Sequence, residues 1–297
     1  MLDLRQGRRP PVHTLVDISD IPELIALEVR GAELFVGAAV PHSQVIASPL
    51  VYRHARALAE ACDLIGGPQV RNVATLGGNV AHALPAADGA IALLALEATA
   101  VVATLAPISA EELITRPYVV AALAAESAEA ITTNQRSGDL YRPPPHSADV
   151  QMTKVPLLDL YLGPGKTALK PGQILVGFYL PLAGRGQGSA FTRVMRAQGV
   201  ALPVLNLAVG LKREHETITE LCIAIGPAGP VPKRPQTAET ALRGQPLTPE
   251  TLAMAEAALL AEVHFRTSPQ RATAEYRQHL AGKLLAEAVY KAWERAA

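Results

Sequence analysis

The chain has 297 residues, of which 49% are hydrophobic and 18% are charged, a composition typical of a packed protein of about two domains and not of a disordered chain. Its 27 Lys and Arg residues balance 27 Asp and Glu residues, and this neutrality argues against nucleic-acid binding. The two cysteines, Cys62 and Cys222, exclude a disulfide framework and are too few for a zinc or iron–sulfur site held by four thiolates. We therefore expect no metal site, and any redox chemistry must come from an organic cofactor or a partner chain.

We expect neither an integral membrane segment nor a secretory signal in this sequence. Arg5, Arg8 and Arg9 lie near the start, but no apolar stretch follows them. The longest apolar run, residues 89–106, has Glu97 near its middle and is shorter than the about 20 residues that a membrane-spanning helix needs. This run predicts a buried helix followed by a β-branched strand, and the protein is expected to be soluble and cytoplasmic.

Strand and helix patterns alternate in the first part of the chain. Short apolar runs at residues 15–18 and 34–40 predict strands. Ser48 and Pro49 mark a helix start, because proline suits the first helical turn and serine caps it. Apolar residues then recur at helical spacing until a Gly-Gly-Pro sequence, which begins at residue 66, ends the predicted helix.

A segment of different character, residues 107–154, interrupts this pattern. It combines an alanine-rich helical stretch at 119–131 with three consecutive prolines at 143–145. We interpret it as an excursion between elements that would otherwise connect directly. Regular patterning resumes after it, with a turn at residues 163–165 and a predicted strand at 174–180.

The glycine-rich residues 184–188 mark the best domain boundary, which gives domains of residues 1–183 and 184–297. Beyond this boundary, three apolar runs predict an antiparallel sheet and two helical patterns follow it. The predicted strands are residues 190–196, 204–211 and 218–226, and the predicted helices are residues 248–263 and 272–296. Together with the first domain, these elements predict an α+β fold.

The clearest chemical signal is a TLGGN segment that runs from Thr75 to Asn79, with Asp88 after it. The adjacent glycines Gly77 and Gly78 allow positive φ angles, and the free N–H groups of such a turn form an anion-binding nest suited to a pyrophosphate. Thr75 and Asn79 add hydrogen-bonding side chains, and Asp88 can accept from ribose or ribityl hydroxyls or cap the next helix. An isolated TxGGN segment is more often a turn before a helix, so both interpretations stay open on these residues alone.

The wider segment IGGPQVRNVATLGGNVAHALPAADGAIALLALEA strongly resembles the second flavin-binding motif of the medium, FAD-binding subunits of molybdenum hydroxylases of the xanthine dehydrogenase and carbon monoxide dehydrogenase type. Five other segments resemble the same family in the same order, namely residues 15–24, 42–51, 163–175, 189–226 and 268–289. The resemblance covers most of the chain, and residues 107–154 are the part without a counterpart.

This resemblance implies a fold and a function. The fold would be an FAD-binding domain of the vanillyl-alcohol-oxidase (PCMH) type, followed by a C-terminal domain of the carbon monoxide dehydrogenase flavoprotein type. The chain would be an oxidoreductase subunit that binds and orients FAD and has no catalytic residue of its own. FAD would take electrons from [2Fe–2S] clusters of a small subunit, while a large subunit carries the molybdopterin, and would pass them to NAD+ or another acceptor.

The resemblance also assigns cofactor-binding residues: Ile65, Thr75, Leu76, Gly77, Gly78, Asn79, Asp88, Leu175, Thr192 and Arg193. Residues 75–79 match the stretch that binds pyrophosphate, and Asp88 matches an acid that contacts FAD. Ile65 and Leu175 match apolar flavin contacts. Thr192 stands where relatives often have a lysine that reaches the flavin, so we expect an altered contact there, with Arg193 as its substitute.

One departure from the family lies at the start of the chain. MLDLRQGRRPP resembles the sequence that follows an AGGTDL-like pyrophosphate loop at the end of the first FAD lobe. Half of the phosphate cradle is therefore expected outside this sequence. Three explanations are considered: the start codon is placed too late, the first lobe is a separate chain, or the subunit has lost strong FAD binding. The first is preferred.

Two other functions are considered. A flavin-poor scaffold, or a truncated subunit that keeps only its role in assembly, is the main alternative. A stand-alone flavin oxidase is disfavoured, since the C-terminal module is typical of the multi-subunit family. Residues 163–167 read GPGKT, but a P-loop needs glycine where this chain has Leu160, so we interpret them as a turn. Cys62 and Cys222 lie in apolar patterns and are expected to be small core residues.

Overall fold

A computed structural model describes residues 17–105, 150–195, 202–269 and 271–297. The helix predicted at 119–131 and the three prolines lie outside these ranges. A strand was predicted at residues 15–18. Residues 15 and 16 lie outside the described ranges, and Asp17 and Ile18 are described but are not part of a strand.

The first domain is built on a five-stranded antiparallel sheet with the strand order β1–β2–β7–β3–β4. The strands are β1 (Leu27–Arg30), β2 (Glu33–Gly37), β3 (Thr99–Leu105), β4 (Val150–Pro156) and β7 (Gln173–Pro181). The strands predicted at 34–40 and 174–180 are confirmed as β2 and β7. Strand β1 was not predicted, because it has no apolar run of its own and is held by a tight turn at Gly31, whose φ is +62°.

The excursion joins two paired strands at the edge of this sheet. Strand β4 pairs with β3 over its whole length, from Thr99 opposite Pro156 to Leu105 opposite Val150. Residues 150–154, which the sequence pattern placed in the excursion, therefore belong to the sheet. The chain leaves the sheet after Leu105 and returns to the same end of it at Val150.

Seven short helices complete the described part of the first domain. They are α1 (Pro22–Ile25), α2 (His42–Ala47), α3 (Pro49–His54), α4 (Arg56–Asp63), α5 (Pro68–Arg71), α6 (Leu76–Ala81) and α7 (Asp88–Ala95). A short 3₁₀ turn (Leu157–Leu160) leads to a small hairpin of β5 (Tyr161–Gly163) and β6 (Lys166–Thr167), which confirms the turn predicted at 163–165. None of the helices in the described ranges is long and apolar enough to cross a membrane.

The single helix predicted from Ser48 to residue 66 is two helices in the structure. The predicted cap is confirmed, since Ser48 Oγ accepts a hydrogen bond from Val51 N at 3.4 Å. The chain breaks at Ala55, whose φ and ψ are −141° and 50°. A contact with the second domain accompanies the break, because Ala57 N donates to Ser189 Oγ at 3.1 Å instead of to a carbonyl of the preceding turn.

The second domain contains the predicted three-stranded antiparallel sheet, in the order β10–β9–β8. Its elements are β8 (Gln187–Met195), β9 (Pro203–Glu214), β10 (Thr217–Gly226), α8 (Gln236–Leu242), α9 (Pro249–Glu262) and α10 (Ala274–Arg295). Helix α10 packs against β8 and β9. Helix α8 was not predicted, since its seven residues span only two turns of helical pattern.

Helix α7 is the element that joins the two domains. It contacts α4 and α6 on one side and β9 and β10 on the other, and all eight of its residues are buried. The approach to β9 is close, since a Cβ on Gly210 would lie 2.5 Å from the carbonyl oxygen of Ala95. The prediction of a buried helix followed by a strand is confirmed, and burial on both sides explains why the helix is apolar all round.

Both cysteines lie at this junction and belong to the core. Cys62 is fully buried on α4, and Cys222 Sγ lies 3.4 Å from the carbonyl oxygen of Leu94. Burial raises the pKa of both thiols, so they are protonated and unreactive. The prediction that both are small core residues is confirmed.

Candidate functional site

The TLGGN segment forms the start of helix α6. Thr75 is its N-cap, and Thr75 Oγ1 accepts a hydrogen bond from Gly78 N at 3.1 Å. Neither Gly77 nor Gly78 has a positive φ, because both lie inside the helix. The positive φ angles expected for the two glycines are therefore wrong, and the segment is locally a capped helix start.

The N–H groups at this helix start are used by the protein itself. Leu76 N donates to Val40 O at 3.1 Å, and Gly77 N donates to Ala38 O at 2.8 Å. Asn79 N donates within the helix. The expected nest of free backbone N–H groups is therefore wrong, because α6 docks its first turn onto the segment that follows β2. The groups left to bind a phosphate are the Thr75 hydroxyl proton and the Asn79 side-chain amide.

The two glycines have different surroundings. A Cβ on Gly77 would lie 2.6 Å from Ala38 O and 2.5 Å from Ala38 Cβ, so only glycine fits between α6 and this segment. Gly78 is exposed, and its Cβ position meets only Thr75 Oγ1, at 3.1 Å. Gly77 is a packing residue, whereas Gly78 keeps the helix start open to the surface.

This difference predicts opposite effects of alanine at the two glycines. We expect Gly77→Ala to destabilise the fold by about 1–3 kcal/mol, since the methyl group overlaps backbone atoms that cannot move freely. Gly78→Ala should change stability by less than about 1 kcal/mol, because the site is exposed and helical. Urea unfolding of both variants measures the two values, and equal losses would contradict the assigned packing role.

Asp88 starts helix α7 and is buried with two partners. Asp88 Oδ2 accepts from Arg193 Nη1 at 2.6 Å, and Asp88 Oδ1 accepts from Asn206 Nδ2 at 2.6 Å. Burial raises the pKa of the Asp88 carboxyl above its ordinary value, and the Arg193 guanidinium and the Asn206 amide oppose that rise. Arg193 and Asn206 come from the second domain, so this carboxylate is held across the domain junction.

Arg193 connects three parts of the molecule. Besides Asp88, its guanidinium donates to Leu64 O and lies 2.9 Å from Met195 Sδ. Its side chain is only 3% exposed, and within the described part of the chain its Nε is buried without a hydrogen-bond partner. Asp88, Arg193 and Asn206 form a hydrogen-bonded group, the Asp88 cluster. Because Leu64 directly precedes Ile65, the bond from Arg193 to Leu64 O brings the predicted apolar contact Ile65 next to this cluster.

Thr192 lies on the other face of the same strand. It is buried, and the single hydrogen of its hydroxyl is shared between Leu284 O at 3.2 Å and Leu207 O at 3.4 Å. Successive side chains of a strand point to opposite faces, so Thr192 faces α10 while Arg193 faces the first domain. The residue at the position of the family's lysine is therefore not part of the Asp88 cluster.

The remaining predicted residues adjoin these contacts. Leu175 is buried on β7, and its neighbour Val176 accepts from Ala38 N through its carbonyl oxygen. Ala38 in turn accepts from Gly77 N, which links β7 to the TLGGN helix start. Asn79 Oδ1 accepts from Ala90 N at 3.3 Å, and this contact joins α6 to the first turn of α7.

Asn206 belongs to this cluster and was not predicted. It is fully buried on β9, and its Nδ2 donates to Ala86 O at 3.1 Å as well as to Asp88. The available signal was a single amide within the apolar strand sequence PVLNLAVGL, since a buried polar side chain requires partners.

His42 is a second buried polar residue near the helix start. Its backbone N donates to Ala74 O at 3.0 Å, which places it beside the segment that leads into Thr75. Burial, helped by the charge of Arg71, lowers the pKa of His42 to about 4, so the imidazole is neutral at physiological pH. Its Nδ1 finds no partner among the described residues.

A cavity of about 760 Å³ lies elsewhere at the domain junction, and none of the ten predicted residues lines it in the described structure. Its basic side chains are largely paired with acids, as Arg295 is with Glu60 at 2.5 Å and Arg234 with Glu97 at 3.1 Å. Most of the cationic side chains that line it are therefore neutralised by a neighbouring carboxylate. Within the described ranges, no group of three or more His, Cys, Asp or Glu side chains is placed to hold a metal ion.

Two models of known families match most of the chain. Residues 1–132 match the model of the FAD binding domain in molybdopterin dehydrogenase, and residues 189–292 match that of the CO dehydrogenase flavoprotein C-terminal domain. The chain belongs to the family of FAD-binding medium subunits of the xanthine dehydrogenase and CO dehydrogenase type. The predicted family, the predicted fold class and the assignment as an oxidoreductase subunit are confirmed.

Relatives match over nearly the whole chain. The chain is 28% identical to the xanthine dehydrogenase FAD-binding subunit of Escherichia coli O157:H7, over 93% of this chain and 81% of that one. It is 27% identical to the carbon monoxide dehydrogenase medium chain of Hydrogenophaga pseudoflava, over 100% of this chain and 86% of that one.

Solved structures show the same fold. Carbon monoxide dehydrogenase from Hydrogenophaga pseudoflava superposes with a TM-score of 0.78 at 26% identity, covering 100% of this chain and 87% of that one. Quinoline 2-oxidoreductase from Pseudomonas putida 86, at 21% identity and a TM-score of 0.75, shares the fold over 99% of this chain and 87% of that one.

Proposed function

We propose that this medium subunit binds FAD where helices α6 and α7 meet Arg193, and that it works in the cytoplasm. Its partners would be a large molybdopterin subunit and a small iron–sulfur subunit. The observation that carries the proposal is the convergence of separate sequence segments. Asn79 on α6 bonds to Ala90 of α7, and Arg193, 105 residues beyond Asp88 in the chain, bonds to Asp88 at the start of α7.

The residues at this point fit a polar cofactor. Arg193 Nε is a buried donor and Asn206 Oδ1 a buried acceptor, and neither has a partner within the described structure. Each unpaired buried group costs about 1–3 kcal/mol, so a ligand that satisfies both is favoured. Asp88 binds the same two side chains through its two oxygens, which keeps the free donor and the free acceptor close together.

Most of the predicted residues then have a task in binding, whereas Gly77 and Thr192 serve packing. The Thr75 hydroxyl and the Asn79 amide donate to the pyrophosphate, and Gly78 leaves room for it at the surface. Asp88 accepts from hydroxyl groups of the cofactor, and Ile65 and Leu175 give apolar contacts. When bound, FAD supplies the redox chemistry, taking electrons from [2Fe–2S] clusters and passing them to NAD+ or another acceptor.

One observation favours the alternative function of a flavin-poor scaffold. All the N–H groups at the start of α6 are used inside the protein, so the pyrophosphate has only side-chain donors in the described structure. Such a site binds FAD more weakly than a backbone nest with free N–H groups. A subunit with this site could still keep its surface for assembly with the large and small subunits.

The complex isolated from its native source separates these functions. The chain is purified with its partners, and FAD, iron and molybdenum are quantified per chain. The proposal expects one FAD per chain, whose absorbance bleaches when the substrate of the complex is added and returns when an acceptor is added. A complex that assembles and turns over with no FAD in this chain would contradict the proposal and establish the scaffold.

A further inference from the structure

Asn206 is a polar residue in an apolar strand, and within the described structure both hydrogen bonds of its side chain go to the first domain. Its neighbours Leu205 and Leu207 are fully buried, as is Asn206 itself. An amide at such a place is unfavourable unless its groups are paired. Both hydrogens of Asn206 Nδ2 are used, one on Ala86 O at 3.1 Å and one on Asp88 Oδ1 at 2.6 Å.

These two bonds hold the turn that leads into α7 at both of its ends. Ala86 offers a main-chain carbonyl, and Asp88 offers the carboxylate that also receives Arg193. The turn belongs to the first domain, whereas the amide belongs to the sheet of the second domain. The orientation of Asp88 therefore depends on how the second domain docks.

We propose that Asn206 is a positioning residue of the cofactor site, which orients Asp88 for FAD and makes FAD affinity depend on the docking of the C-terminal sheet. This inference rests on the proposed function. The free Oδ1 of Asn206 and the free Nε of Arg193 present an acceptor and a donor held by one carboxylate. The pyrimidine edge of a flavin, where an N–H lies between two carbonyl groups, has the complementary chemistry.

Two substitutions separate this role from simple packing. Asn206→Leu removes the amide but fills the space, so FAD affinity should fall about 10- to 100-fold at every pH, as for the loss of a hydrogen bond to a charged group.

Asn206→Asp keeps the shape but places a second carboxylate against Asp88. Arg193 from β8 is the one cation in contact with Asp88 in the described structure, and the Cys62 thiol from α4 is the other titratable group near it.

The aspartate variant should therefore show a pH-dependent affinity. With one guanidinium for two carboxylates, one of the two must bind a proton for the pair to remain buried. FAD affinity should be about 10- to 100-fold below the wild-type value at pH 8 and should recover as the pH falls toward 5.5. A residue that only fills space would give the aspartate variant no such recovery.

Fluorescence titration of FAD from pH 5.5 to pH 8.5 tests this, with the unfolding midpoint recorded at each pH. Cys222→Ala is the matched control, because it alters the contact of β10 with α7 at Leu94 without touching Asp88, and it should bind FAD like the wild type. If the wild type binds FAD and both Asn206 variants fold and bind it with the same affinity, the positioning role is overturned but the proposed function is not. Absence of FAD binding by the wild type would overturn the proposed function and this inference with it.

A third variant covers the case in which both substitutions prevent folding. Asn206→Ser keeps one hydrogen-bond donor in a smaller side chain, so it should bind FAD with an affinity between those of the wild type and the leucine variant. Its flavin midpoint potential should also differ from the wild-type value, because the Asp88–Arg193 pair is less constrained. A folded serine variant with wild-type affinity and wild-type potential would overturn the positioning role.

Discussion

Gly78→Asp should lower FAD affinity by about 30- to 1000-fold while the chain remains folded. The added carboxylate stands at the exposed helix start where the pyrophosphate is placed, and repulsion between like charges there costs about 2–4 kcal/mol. Folding should be nearly unaffected, because Gly78 is exposed and an acid in the first turn of a helix is favourable. FAD titration followed by flavin fluorescence measures the affinity, and circular dichroism confirms the fold.

Two control variants separate charge from bulk and from remote effects. Gly78→Asn has the same shape without the charge, so it should lose much less affinity than the aspartate variant. Gly184→Asp adds the same charge at another exposed glycine, in the turn between the domains, and should bind FAD like the wild type. Equal affinity in Gly78→Asp and the wild type would remove the TLGGN helix start from the cofactor site.

Arg193→Met should destabilise the protein by about 3–5 kcal/mol at neutral pH and weaken FAD binding as well. The Asp88 and Arg193 side chains are only 6% and 3% exposed, so removing the guanidinium leaves a carboxylate buried without a counter-charge. The double variant Arg193→Met with Asp88→Asn removes both charges and should regain much of the lost stability. Urea unfolding of the two single variants and the double variant gives the coupling energy of the pair.

The stability loss of Arg193→Met should also depend on pH in a defined direction. Burial already raises the pKa of Asp88 in the folded protein, and loss of Arg193 raises it further. The folded state then binds a proton more readily than the unfolded state, so stability falls as the pH rises through this range. The loss in free energy of unfolding relative to the wild type should therefore become smaller toward pH 4. A loss that stays constant from pH 4 to pH 8 would contradict the burial of Asp88 as an ionised partner of Arg193.

Much of the fold follows from local patterns in the sequence. The three strands of the second sheet are apolar runs, and the two long helices after it begin at clear caps, Thr248 for α9 and Thr273 for α10. The buried α7 was predicted from an apolar run that was too short and too charged for a membrane helix. These elements are predictable because the same residues fix both their local structure and their buried faces.

The parts that sequence patterns missed depend on contacts between the domains. The helix break at Ala55 accompanies a bond from Ala57 to Ser189, which is 132 residues away in the chain. The free N–H groups expected at the TLGGN segment are absent, because Ala38 and Val40 take them. Asn206 reaches Asp88 only because β9 packs against α7. No periodicity along the chain encodes such contacts.

The most direct test of FAD binding by this subunit is a titration of the purified 297-residue chain with FAD, followed by flavin fluorescence and absorbance. We expect saturable binding of one FAD per chain, with affinity lost in Gly78→Asp and retained in Gly184→Asp. Failure of the folded wild-type chain to bind FAD would contradict the claim that the described site suffices, and the same titration with the upstream segment restored would then separate a misplaced start from a scaffold.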